Sequence, residues 1–105
     1  MIRVSILYPQ TPTSRFDFDY YLKTHMPEAA RLLGVALKGV TVERGLMGTE
    51  PGSPPAHAAM CHLLFDSVEA FLAAFMPHAA WLQGDVKNYT DVAPVIQFNE
   101  IEMQR

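Results

Sequence analysis

The stretch His57-Ala-Ala-Met-Cys-His-Leu-Leu-Phe-Asp-Ser-Val-Glu-Ala-Phe71 changes its hydrophobic period part-way along. From His57 to Phe65 apolar side chains occupy both alternation classes, with Ala59, Cys61, Leu63 and Phe65 on one and Met60 and Leu64 on the other. That is the pattern of a strand covered on both faces. Asp66-Ser-Val-Glu69 then sets an acidic N-cap three residues before a glutamate, a capping box. Val68, Phe71, Leu72, Phe75, Ala79 and Leu82 follow on one helical arc, interrupted on the opposite side by Pro77 and closed by Gly84. The stretch therefore opens a strand-then-helix unit.

The same order occurs once before it. Ile2 to Tyr8 alternates as a strand and ends at Pro9, and Gln10-Thr-Pro-Thr-Ser14 is a turn-rich loop. A helix is expected from Asp17, whose carboxylate can cap it, to Leu33, with Gly34 as its C′ residue and a kink at Pro27. A strand over Leu37 to Leu46 follows, then the Gly- and Pro-dense loop Met47 to Ala56, which suits a mobile lid. Beyond the second helix, a turn at Asp85 to Asn88 leads to a last strand over Asp91 to Glu102. The order βαββαβ over a single domain, 1–105, predicts an α+β, ferredoxin-like fold, an antiparallel sheet with both helices on one face. Apolar residues on both faces of the third and fourth strands leave the other sheet face needing cover. A homodimer packed through that face is the economical solution.

Composition narrows the function classes. The net charge is −3 and the eight Lys and Arg are scattered, which excludes nucleic acid as the main partner. The single cysteine, Cys61, rules out an intrachain disulfide and fits a reducing compartment. No apolar run approaches membrane-spanning length, and Met1 to Leu7 is too short and interrupted for an export signal, so a cytoplasmic protein with no membrane partner is expected. Gly45, Gly48 and Gly52 match no nucleotide fingerprint.

The chemistry is concentrated on the first helix. At about 100° per residue, Phe18, Leu22, Ala29, Leu32 and Leu33 fall on one arc, with His25 inside it and Tyr21 at its edge. A titratable group turned inward needs partners. Tyr21 and His25, four apart, can form a phenol–imidazole pair that fixes a tautomer or presents a donor and a base to a ligand. Asp17 lies about 12 Å of helix rise from His25, too far to complete a triad. Alternatively, His25 caps carbonyls freed by Pro27. His62 shares a strand face with Met60 and Leu64 and lines either the dimer interface or the same cleft as His25. Tyr8, at the end of the first strand, suits a cleft wall with a polar tip. His78 fits a helix end and His57 a solvated position. The four histidines lack the paired spacing of metal motifs, and no metal or cofactor is expected. Cys61 fits packing rather than nucleophilic chemistry. Trp81 projects about 100° off its helix's apolar arc, where it can support a dimer or the 85–90 turn.

The run Tyr21-Leu-Lys-Thr-His25-Met-Pro27 resembles the helix motif of the EthD-like family. Gly45-Leu-Met-Gly48 with its Pro-Gly-Ser-Pro loop, His62-Leu-Leu-Phe-Asp-Ser-Val-Glu-Ala-Phe71 and Asn88-Tyr-Thr-Asp91 resemble it in order and spacing over essentially the whole chain. The resemblance implies a dimeric ferredoxin-like fold of the dimeric α/β-barrel type with a cleft between sheet and helices. Relatives in the wider superfamily include cofactor-free monooxygenases, polyketide cyclases and small lyases. His25 is the residue carried over, with Tyr21 as its neighbour. Two functions follow as expectations. One is a cofactor-independent enzyme acting on a hydrophobic carbonyl or aromatic compound, with His25 as acid/base and the 47–56 loop as gate. The other is a non-catalytic carrier or accessory protein using the same pocket. Beside these two stands a structural dimer acting through protein partners.

Overall fold

A computed structural model describes residues 1–105. Four strands, β1 (Ile2–Pro9), β2 (Gly39–Arg44), β3 (His57–Phe65) and β4 (Val95–Glu100), form one antiparallel sheet in the order β2-β3-β1-β4. The helical segments α1 (Phe18–Tyr20), α2 (Met26–Leu33), α3 (Val68–Phe75) and α4 (Ala79–Gly84) lie on one face of it. This is the ferredoxin-like arrangement that the doubled strand–helix pattern predicts. Val4, Ala59, Cys61, Leu63 and Phe65 point from the central strands into a core shared with Ala29, Leu33, Phe71 and Leu82.

The local signals act at the expected places, with instructive shifts. Asp17 accepts the backbone N–H of Tyr20 at 3.0 Å and caps the first helix. Pro27 does not simply kink that helix. Tyr21–His25 forms a π-turn closed by the Met26 N–H on the Tyr21 carbonyl, and Pro27 then stands in the first turn of α2, where its missing N–H costs nothing. Gly34 ends α2 at φ +65°, ψ −148°, a conformation open essentially to glycine alone. At the second helix the cap is Ser67, which accepts the Ala70 N–H at 3.1 Å, one residue later than the expected Asp66. Pro77 splits that helix through a short 3₁₀ turn, Met76–His78.

Two strands are shorter than the periodicity suggested. β2 starts at Gly39 because a 3₁₀ turn over Gly34–Ala36 occupies the approach. β4 starts at Val95 because Thr90 is held in a bridge to Phe16 and Pro94 has no N–H to donate. The helix-free face of the sheet is mixed. Leu7, Met60, Leu64 and Val95 share it with a polar chain in which Asn99 Nδ2 donates to Ser5 Oγ (3.0 Å), Ser5 bonds His62 Nδ1 (2.9 Å) and His62 Nε2 reaches Glu43 (3.2 Å). No helix is long and apolar enough to cross a membrane.

Candidate functional site

Sheet and helices do not close completely on each other. A cavity of about 540 Å³ remains between them. Its floor is Val4, Ile6, Cys61 and Leu63, and its mouth lies by β4 and α3, where Leu72, Ile96 and Phe98 are more than 40% exposed. The lining is apolar apart from Gln83, the Cys61 thiol and a group of rings at the closed end: Tyr8, Tyr21, His25 and Tyr89. No carboxylate, ammonium or guanidinium lines it.

The π-turn places His25. Tyr21 and His25 leave it with their rings 5.4 Å apart and nearly parallel, at 11°. Trp81 stacks on the imidazole at 5.5 Å and 13°, and Tyr89 packs at 4.7 Å. His25 is buried, and its partner is Asp85, whose Oδ2 lies 2.8 Å from Nδ1. The other carboxylate oxygen accepts the Tyr20 hydroxyl at 2.7 Å and Asn88 Nδ2 at 2.9 Å. Burial alone pushes the Asp85 carboxyl up. The hydrogen bonds from Asn88, His25 and Tyr20 outweigh that and hold it below the usual carboxylate range. An ionised carboxylate can only accept, so Nδ1 of the neutral imidazole carries the proton and Nε2 is left with a lone pair. Nε2 makes no hydrogen bond within the protein and is not sealed off, and His25 lines the cavity.

Beside this pair the Tyr8 and Tyr89 hydroxyls meet at 2.7 Å, and Tyr21 brings its hydroxyl next to Tyr8 and to the Cys61 thiol. Burial pushes all three phenols up, and pushes the thiol up to about 11. At neutral pH they are donors rather than bases or nucleophiles.

The structure thus brings Tyr8, Tyr21 and His25 together on one cavity. It does not bring His62 there: that ring lies on the helix-free face, within the chain from Asn99 to Glu43. His57 begins β3 and His78 ends the 3₁₀ turn, and neither lines the cavity. No cluster of three or more His, Cys, Asp or Glu has metal-binding geometry. Sequence reasoning missed Asp85, Tyr20, Asn88, Tyr89 and the role of Trp81. One signal was present: Trp81 projects off the apolar arc because it faces the imidazole rather than the sheet.

A family model described as the EthD domain matches residues 10–93. The chain belongs to the EthD family. Among solved structures, this EthD chain is similar to an EthD-like protein from Ralstonia eutropha, at 47% identity and a TM-score of 0.94 over 99% of this chain and 94% of that one. An EthD (ethyl tert-butyl ether D) family protein from Bacillus halodurans aligns at 23% identity and 0.67, covering 96% and 98%. HapK from Hahella chejuensis aligns at 13% and 0.55, covering 98% and 96%, a likeness of fold. A search of curated proteins gives no match. The motif residues Tyr21 to Pro27 and Asn88 to Asp91 both fall inside the matched EthD region and supply His25, Tyr21 and Tyr89 to the same cavity wall.

Proposed function

We propose that this EthD protein binds an uncharged, largely apolar small molecule in the cavity and moves a proton on it with His25. The observation that carries this is the His25–Asp85 pair at the cavity's closed end, with Nδ1 committed to the carboxylate and Nε2 free. A volume of about 540 Å³ suits a drug-sized ligand. As Nε2 takes a proton the ring becomes cationic, and the adjacent carboxylate stabilises that charge in a site with little water. A positioned base of this kind contributes typically about 10²–10⁴-fold in rate. Tyr21 and Trp81 clamp the ring between them, which fixes its orientation. Such a transfer is a step that oxygenase, cyclase and lyase chemistries on a hydrophobic carbonyl or aromatic compound can share.

A second reading is a carrier or accessory protein with His25 as polar anchor. Its support is that the other titratable groups lining the cavity, the phenols and the thiol, are all held protonated, so a second proton-transfer group is lacking. We also propose that the helix-free face, bearing Leu7, Met60 and Leu64, packs against a second copy. Native mass spectrometry of the purified protein would identify a retained ligand, and wild type and His25→Gln would then be compared for its binding and conversion. Conversion by wild type lost in His25→Gln supports the enzyme. Retention without conversion by wild type supports the carrier.

A further inference from the structure

We propose that the aromatic cluster around His25 is a relay for single oxidising equivalents, with Trp81 as its port at the surface and Tyr20 as the residue where the equivalent comes to rest. It needs neither a ligand nor the acid/base role of His25. The chain has one tryptophan and four tyrosines, and all five rings belong to this one cluster. Trp81 is its exposed member, at 37%, while Tyr8, Tyr21 and Tyr89 are at most 2% exposed. From Trp81 the rings follow in close succession. His25 lies 5.5 Å away, Tyr89 lies 4.7 Å from His25, and Tyr20 stacks 6.5 Å from Tyr89 at 22°. Steps this short let an electron pass from ring to ring. Packing alone explains why the rings touch. The hydrogen bonds single out one of them.

A phenol at neutral pH gives up an electron readily only when its proton leaves too, and that proton moves to a base within hydrogen-bond reach. Tyr8, Tyr21 and Tyr89 have no such base. The Tyr8 and Tyr89 hydroxyls bond each other at 2.7 Å, and Tyr21 lies against Tyr8 and the Cys61 thiol, which burial keeps protonated. Tyr20 differs. Its hydroxyl donates to Asp85 Oδ1 at 2.7 Å, and that carboxylate is ionised. In the first step a one-electron oxidising radical takes an electron from the Trp81 indole, whose N–H proton leaves to water. An electron then passes from Tyr20 by way of Tyr89 and His25 to the indolyl radical, which regains a proton from water. The Tyr20 proton goes to Asp85 Oδ1, so phenol and indolyl radical become phenoxyl radical and indole. Neither Trp81 nor Tyr20 lines the cavity, so an equivalent held on Tyr20 is kept from the Cys61 thiol and from anything bound.

The test is pulse radiolysis of the full-length protein in azide at neutral pH, where azide radicals oxidise tryptophan. The indolyl absorption should decay as the tyrosyl absorption rises, in a first-order process whose rate does not change with protein concentration. Tyr20→Phe keeps the ring and removes the hydroxyl, and there the tyrosyl rise should be lost and the indolyl radical persist. In Trp81→Phe no delayed rise should occur. Asp85→Asn keeps an acceptor for the Tyr20 hydroxyl but no base for its proton, so the transfer should be lost there too. In D₂O the wild-type transfer should slow. Indolyl decay without a tyrosyl rise, a rate that scales with protein concentration, or transfer kept in Tyr20→Phe or Asp85→Asn overturns the relay. If Asp85→Asn does not fold, a wild-type rate unchanged in D₂O overturns it alone.

Discussion

Replacing Asp85 by asparagine changes almost no shape and inverts the logic of the site. In wild type the carboxylate accepts three hydrogen bonds, from Tyr20 at 2.7 Å, His25 at 2.8 Å and Asn88 at 2.9 Å. The asparagine carbonyl can still accept from Tyr20 and Asn88, because both use the same oxygen. Its amide group then faces His25, and since an NH₂ donates, Nδ1 has to become the acceptor and the imidazole proton moves to Nε2. Bonds to a charged partner are worth about 1.5–3 kcal/mol against about 1 for neutral ones, while the neutral residue is easier to bury. The net cost should be about 1–2 kcal/mol, a fall in Tm of about 5–15 °C for a domain of this size. The tautomer is read by nitrogen NMR of the imidazole at a pH where it is neutral. Wild type should show protonated Nδ1 and bare Nε2, and Asp85→Asn the reverse. Conversion of the ligand retained by wild type should drop about 10²–10⁴-fold. Adding the change to His25→Gln should cost little more, because the carboxylate acts through the ring. A variant that keeps the Nδ1–H tautomer, or a wild type already protonated on Nε2, refutes the assignment.

Asp85 also sets an acid limit. Its carboxyl is held below the ordinary carboxylate range, so its contribution to stability is complete above about pH 4 and is lost as pH falls through the depressed folded value. The stability gap between wild type and Asp85→Asn in urea titrations should hold at neutral pH and shrink below about pH 4; a gap unchanged at about pH 2 argues against it. Gly45→Ala should destabilise by about 2 kcal/mol or more, since a Cβ there would lie 2.1 Å from the His57 carbonyl oxygen where the loop meets β3. Chemical denaturation indistinguishable from wild type would show that this approach relaxes freely. Light scattering at micromolar concentration should report twice 11.7 kDa for the proposed pair, and Met60→Asp/Leu64→Asp, on the helix-free face, should report the monomer. A monomeric wild type rules the pair out.

The fold was legible because its signals are local. A period of two gives way to a helical arc twice, and Asp17 and Gly34 act within a few residues of where they stand. The site was legible only by half, and helix geometry explains which half. The π-turn keeps Tyr21 and His25 on one face, so their adjacency can be inferred from spacing. The rings stack instead of forming the expected phenol–imidazole hydrogen bond, and Asp85 fixes the tautomer in its place. Rise along the same helix removed Asp17, correctly, and left the imidazole without a carboxylate. The carboxylate comes from 60 residues away, in the turn that follows the second helix, where Asn88 holds it three residues on and Tyr20 reaches it from the first helix. No local pattern marks Asp85, because an aspartate after a helix-ending glycine looks like an ordinary turn residue. Trp81 carried the trace: a large ring turned off the core arc needs another surface to stack on, and the imidazole is that surface. His25 therefore comes from the first strand–helix unit, while Asp85, Trp81 and Tyr89 come from the second. Neither unit contains the site. The imidazole paired with a carboxylate and stacked between two rings exists only once the two have packed together, so changes at Asp85 or Trp81 should disturb His25 without altering the residues of its own helix.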